Sequence, residues 1–163
     1  MKKLIIAIAC TAALASCVKE EDKKIVDVSK TAYLMEGKWI MTAYTWLADV
    51  NDTTPGRADM YIGMNACDKD DVWKFHSREG VTEYEMVKCN LTQPDSIALG
   101  YSLTNDDKYI KVFANPADPD NSLILSGDAV FPSIDTMIVT YRTPNPNDEE
   151  ITSEYVKTYV RIK

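Results

Sequence analysis

Histidine occurs once in this 163-residue chain, at His76. One imidazole beside a turn, with no Ser or Cys partner in a recognisable motif, reads as a surface residue rather than a catalytic base. No glycine-rich phosphate loop is present and no Cys or His spacing suits zinc. After the first sixteen residues no long apolar run follows, so no later segment offers the roughly 20 apolar residues of a transmembrane helix. Basic charge is short too, with 18 Lys and Arg against 25 Asp and Glu. That balance makes nucleic acid and anionic headgroups poor partners. Asp68, Asp70 and Asp71, and again Asp118, Asp120 and Asn121, gather oxygen ligands, but neither set has the spacing of a calcium loop. No pair of acids is placed by the sequence for hydrolytic work. The chain reads as non-enzymatic, without cofactor or metal.

What is present starts at the N-terminus. Lys2 and Lys3, an apolar stretch from Leu4 to Leu14 and small residues before a cut have the layout of a secretory signal peptide. Cys17 stands directly after Leu14-Ala15-Ser16, so the segment resembles the lipobox of bacterial lipoproteins. The resemblance implies removal of residues 1–16, acylation of Cys17 and a hold on the lipid bilayer through several acyl chains, each buried CH₂ contributing about 0.8 kcal/mol. An ordinary secreted or single-span protein is the alternative. Taking 16 from 163 residues leaves 147, about one domain. Taking the two removed lysines from 18 leaves 16 basic groups against 25 acids, a net charge of −9.

Residues 17–29 form a charged tether after the lipidated cysteine, and residues 30–163 the folded domain. Cys17-Val18-Lys19-Glu20-Glu21 also resembles the export signal with which some Gram-negative bacteria send lipoproteins to the outer leaflet. It implies an outer-membrane protein facing the cell exterior, with the periplasmic face as the alternative. Cys10 leaves with the signal and Cys17 carries lipid, so Cys67 and Cys89 remain. In an oxidising envelope two thiols suggest one disulfide; two buried free thiols are the rival.

Beyond the tether the pattern is β almost throughout. A short helix is expected at Lys30 to Glu36, with Ser29 as N-cap and Gly37 as the C′ residue. Eight runs rich in Val, Ile, Thr and aromatics follow, near Lys38 to Leu47, Val72 to His76, Val81 to Lys88, Ile97 to Leu103, Lys108 to Ala114, Ser122 to Phe131, Ile134 to Arg142 and Thr152 to Ile162. A four-residue loop at Ser77-Arg78-Glu79-Gly80 would pair His76 with Val81, Phe75 with Thr82 and Trp73 with Tyr84. Lys74 and Glu83 would then make a charge pair outside. Partners in that register sum to 157, while 67 and 89 sum to 156, so a bulge among Asp68 to Asp71 is expected to bring the cysteines together.

About eight antiparallel strands in one domain close most simply into an up-and-down β-barrel, which removes both edges; a two-sheet sandwich is the rival. Gly37-Lys38-Trp39 after a short helix resembles the Gly-x-Trp opening of lipocalins. Cys67, the acids Asp68, Asp70 and Asp71, the strand Val72-Trp73-Lys74-Phe75, a turn with Gly80 and then Cys89 are similar to the lipocalin-like domain of bacterial lipoproteins. There a cysteine, an acidic pair, an aromatic strand, a glycine turn and a second cysteine follow in that order. The resemblance implies an all-β lipocalin-like fold from about Leu34 to the last strand, and it supports the Cys67–Cys89 pairing. Two features depart from the family: Tyr101 stands where it often has Trp, and no helix follows the last strand.

By alternation Trp39, Met41, Trp73, Phe75, Tyr84, Met86, Leu99 and Tyr101 face inward, where they either line a pocket or fill the core. The expected function is a binding module for a small, partly apolar ligand. The alternative is an accessory subunit that recognises an outer-membrane protein partner through its loops. Asp52-Thr53-Thr54, Asp95-Ser96-Ile97 and Asp135-Thr136-Met137 resemble the Asp-Ser/Thr-apolar acceptor of bacterial O-glycosylation, the first two in expected loops. Cys17→Ser is expected to abolish acylation and leave the signal uncleaved, which fractionation and intact-mass measurement would check. An unlipidated soluble product of the unmutated gene would overturn it.

Overall fold

A computed structural model describes residues 30–76, 80–145 and 148–163. The signal segment, Cys17, the tether with Lys19-Glu20-Glu21, the Ser29 cap and the turn at Ser77-Arg78-Glu79 lie outside the described residues. The elements in order are α1 (Lys30–Met35), β1 (Lys38–Leu47), β2 (Arg57–Asp59), α2 (Ala66–Lys69), β3 (Val72–His76), β4 (Gly80–Tyr84), β5 (Ser96–Thr104), β6 (Tyr109–Phe113), β7 (Leu123–Ser133), β8 (Thr136–Asn145) and β9 (Asp148–Ile162). Every strand pairing is antiparallel. Eight strands run in the order β1, β3, β4, β5, β6, β7, β8, β9, and β1 pairs back onto β9. The all-β expectation therefore resolves as a closed barrel and not as a sandwich. The short β2, which the sequence pattern does not announce, extends the β3 side of β1 through Thr45↔Asp59 to Leu47↔Arg57.

One end of the barrel is closed by α1. Trp39 has no exposed surface and its indole Nε1–H donates to the Leu34 carbonyl at 3.0 Å. The Phe131 ring meets Trp39 edge-on, the arrangement aromatic pairs prefer. Gly37 is not the left-handed helix terminator expected, since no described glycine has positive φ. Its missing side chain makes room instead for Arg161, whose Cγ and Cδ would lie 2.6 Å from a Cβ there. Arg161 is only 11% exposed and reaches Glu36 at 2.9 Å and Asp135 at 2.6 Å, so it clamps α1 and the β7–β8 turn onto the end of β9.

The β3–β4 hairpin corrects the expected register by one residue. His76 faces Gly80, Phe75 faces Val81, Lys74 faces Thr82 and Trp73 faces Glu83, so partners sum to 156, the value for Cys67 and Cys89. No register shift interrupts the β3–β4 ladder. A one-residue slip turns every side chain of one strand over, and here β4 is the strand turned. Val81 comes inside, 2% exposed, and the expected Lys74–Glu83 surface pair gives way to a Glu83 on the inner face. Tyr84 moves to the outer face, where Lys38 Nζ lies 5.1 Å from its ring centre. β4 ends at Tyr84 rather than Lys88, and Met86 is 69% exposed.

Cys67 and Cys89 form a disulfide with Cα atoms 5.2 Å apart, inside the usual span. It ties the β1–β3 connection, which contains β2 and α2, to the β4–β5 connection at the end opposite α1. A loop of about 22 residues closed this way contributes about 3 kcal/mol in the chain-entropy picture. Cys67→Ala, or reduction of the native protein, should lower the unfolding free energy by about 2 to 5 kcal/mol in denaturant titrations. An unchanged midpoint after confirmed reduction would show that packing alone holds this end.

Candidate functional site

Alternation along β9 puts Tyr155, Lys157, Tyr159 and Arg161 on the face that includes the buried Tyr159. On β1 the same face starts with Trp39 and Met41, opposite Arg161 and Tyr159, and passes through a register shift between Met41 and Ala43. After that bulge Tyr44 faces Lys157 and Trp46 faces Tyr155. β8 adds Met137, Val139 and Tyr141, the first two fully buried. Toward the open end the interior thus changes from aliphatic to a group of phenols around one amine.

These groups are in contact. Tyr141 and Tyr155 stack with ring centres 4.7 Å apart and planes 6° from parallel. The Tyr44 and Tyr141 hydroxyls are hydrogen-bonded at 3.0 Å. Lys157 Nζ sits 4.9 Å from the Tyr44 ring centre, a cation–π distance. Burial pushes the Lys157 amine below its ordinary pKa and raises the Tyr141 phenol, whose hydrogen bond to Tyr44 adds to the rise. Among the described residues no carboxylate lies within ion-pair distance of Lys157.

Acids collect on another part of the wall. Glu83 on β4 faces Trp73 across the ladder and lies close to Asp71, just before β3, and burial raises its carboxyl above the ordinary range. Burial, then the charges of Glu83, Glu85 and Asp70, push the Asp71 carboxyl up to about 7. One oxygen each of Asp70, Asp71 and Glu85 is buried without a hydrogen-bond partner. Two neighbouring carboxyls cannot both ionise cheaply, so Asp71 keeps its proton to higher pH than an ordinary carboxyl, and burial raises Glu83 as well.

The barrel wall opens between β7 and β8. Their ladder runs from Ser133↔Thr136 to Asp128↔Thr140 and stops there, while β7 continues toward Leu123 along β6 and β8 continues toward Asn145 along β9. Gly127 stands where the two strands part, and a Cβ there would collide with the Thr140 carbonyl oxygen. The gap holds a cleft of about 200 Å³ lined by Leu123, Ile124, Leu125, Ser126, Tyr141 and Lys157. A neighbouring cleft of about 290 Å³ shares Ser126 and Tyr141 and reaches Arg142. Its Arg142 is already paired with Glu154 at 2.8 Å.

Of the residues expected to face inward, Trp39, Trp73, Phe75, Leu99 and Tyr101 are buried in the core and Met41 packs against it. The structure corrects Tyr84 and Met86, which are outside. None of the seven proposed ligand-lining residues, Trp39, Met41, Trp73, Phe75, Tyr84, Met86 and Tyr101, lines either cleft. Sequence reasoning missed Tyr44, Tyr141 and Lys157, although the alternation Tyr155-x-Lys157-x-Tyr159 is a usable signal: a lysine on the aromatic face of a strand.

Other proposed positions are engaged locally. His76 Nε2 contacts the Thr82 hydroxyl at 2.9 Å. Asp120 pairs with Lys111 and Asp118 accepts from Asn121, both at 2.9 Å. The only group of metal-ligating residues among those described joins Asp68 to the two disulfide sulfurs, which are no longer thiolates and make no metal site. Thr53 is exposed in a turn, but Ser96, expected in a loop, is the first residue of β5.

Compared with known proteins, the chain matches no family model, no curated protein and no solved structure. Fold and cleft together define its class as a closed eight-stranded antiparallel barrel, consistent with a lipocalin-like fold.

The Asp71 carboxyl gives a pH prediction. Unfolded, it releases its proton near its ordinary value of about 4; folded, near 7. Between these values the native state binds more protons, so this group's contribution to stability is full below about 4 and is lost as pH rises through about 7. Thermal midpoints measured across this window should fall with pH, and Asp71→Asn should flatten the fall. The same slope in the variant would remove Asp71 as its source.

Proposed function

We propose that this protein is a lipid-anchored, non-enzymatic binding module whose lipocalin-like barrel takes a small, partly apolar ligand at the β7–β8 opening. The observation that carries the reading is the interrupted ladder past Asp128↔Thr140, which leaves a cleft with an aliphatic wall and a polar floor. Binding sites are concave and set a few placed polar groups against apolar ones, and this cleft sets Leu123, Ile124 and Leu125 beside Ser126, Tyr141 and Lys157. Its size favours a ligand of about one ring or a short chain; a cavity of about 150 Å³ takes benzene. The packed interior of Trp39, Trp73 and Phe75 argues against a larger guest in the barrel centre.

Anchoring through Cys17 and display at the outer membrane, facing the exterior, complete the proposal and rest on the lipobox-like segment and Lys19-Glu20-Glu21. A second reading, an accessory subunit of an outer-membrane assembly, is favoured by exposed apolar side chains on the two connections the disulfide joins. Ile62 is 75% exposed and Leu91 90%.

Titration of the isotope-labelled protein with benzyl alcohol and hexanol tests the ligand reading. Saturable amide shifts at Leu123 to Ser126 and at Tyr141, with midpoints of about 1 mM, are expected for ligands this small. Shifts that never saturate, or that scatter over the surface, would refute it.

A further inference from the structure

Inside the β7–β8 opening the lone cation is badly provided for. Lys157 lines the cleft, has an aromatic ring as neighbour and, among the described residues, has no carboxylate partner. A buried ammonium without a counter-charge is costly, and an anion brought to it removes that cost. We propose that Lys157 and Tyr141 recognise the carboxylate of a small apolar monocarboxylic acid, whose ring or short chain lies along Leu123 and Leu125. The proposal rests on the ligand-binding reading above and names the ligand's chemistry.

Three observations select this class. The Tyr44–Tyr141 hydroxyl contact at 3.0 Å uses one of two phenol protons. Either hydroxyl can donate in this contact, so an anion entering the cleft can take the Tyr141 proton while Tyr44 turns to donate to Tyr141, giving a second hydrogen bond beside the ammonium. A carboxylate has two oxygens to receive these two donors. One cation suits a monoanion; a phosphate would need more donors than the cleft presents. The volume of about 200 Å³ and the aliphatic wall then limit the rest of the molecule to a small apolar body. Arg142, the nearest rival cation in the neighbouring cleft, is committed to Glu154.

Matched pairs on the full chain test the inference: benzoate against benzyl alcohol, and hexanoate against hexanol. Each acid should bind about tenfold more tightly than its alcohol, the value of a charge-assisted hydrogen bond in a partly buried site. Lys157→Met, close in size and apolar, should erase that advantage, so that in the variant neither acid binds more tightly than its matched alcohol. In the unmutated protein the Lys157 Cε resonance should shift with benzoate and not with benzyl alcohol, a readout that stands even if the variant does not fold. Equal affinity for acid and alcohol would overturn the carboxylate inference while the binding reading survives. An acid preference that persists in Lys157→Met would also overturn it, by pointing to another cation. Absence of saturable binding by any of the four would overturn both readings together.

Discussion

Because β1 pairs with β3 along one edge and with β9 along the other, the eight main strands have a fixed inner face and their side chains must share one interior. The bulge at Thr42 decides what that interior contains. Before it, Trp39 and Met41 point in; past it, Tyr44 and Trp46 do, opposite Lys157 and Tyr155. An unbroken alternation would have put Ala43 and Thr45 inside and left two aromatics in water. Closure by a bulged strand is a general device for bending and re-aiming a sheet. Here it also sets Tyr44 against the Tyr141 hydroxyl and the Lys157 amine.

The interior charges do not neutralise one another. Tyr159 lies between them: it stacks on Trp73 at 5.5 Å, beside Glu83, and interacts electrostatically with Glu83, Tyr141 and Tyr44. Burial and these neighbours hold its phenol neutral. Asp71 and Glu83 therefore meet their desolvation by keeping their protons to higher pH, and Lys157 meets its own through a ring face. Neither solution is as good as a salt bridge with full hydrogen bonding. Among the described residues, that leaves the amine short of a charged partner at the opening between β7 and β8.

Much of the barrel is legible in the sequence, because β-branched and aromatic runs separated by turn residues give strand existence directly. β1 and β3 have the expected bounds, and Trp39, Trp73, Phe75 and Tyr101 are buried as alternation requires. β4 is the failure, for a physical reason. Val81-Thr82-Glu83-Tyr84-Glu85-Met86 alternates apolar with polar residues, but Val81 belongs to one phase and Tyr84 and Met86 to the other. The choice between phases was made by a turn one residue shorter, which pairs His76 with Gly80. Burying Val81 opposite Phe75 gains apolar contact at the cost of taking Glu83 inside. The cleft was illegible for a different reason: a ladder that stops partway leaves no mark on the local composition of β7 or β8.

The chain's net charge of −7 works against an anionic guest only at a distance. At physiological ionic strength exposed charges more than about 8 Å apart are largely screened, while a buried group is screened far less. Within the barrel, burial and the neighbouring acids push the Asp71 carboxyl up to about 7, so it carries less than a full charge at neutral pH. The burial of Glu83 thus follows from the β4 register, and the ring that faces the Lys157 amine follows from the β1 bulge, which turns Tyr44 inward.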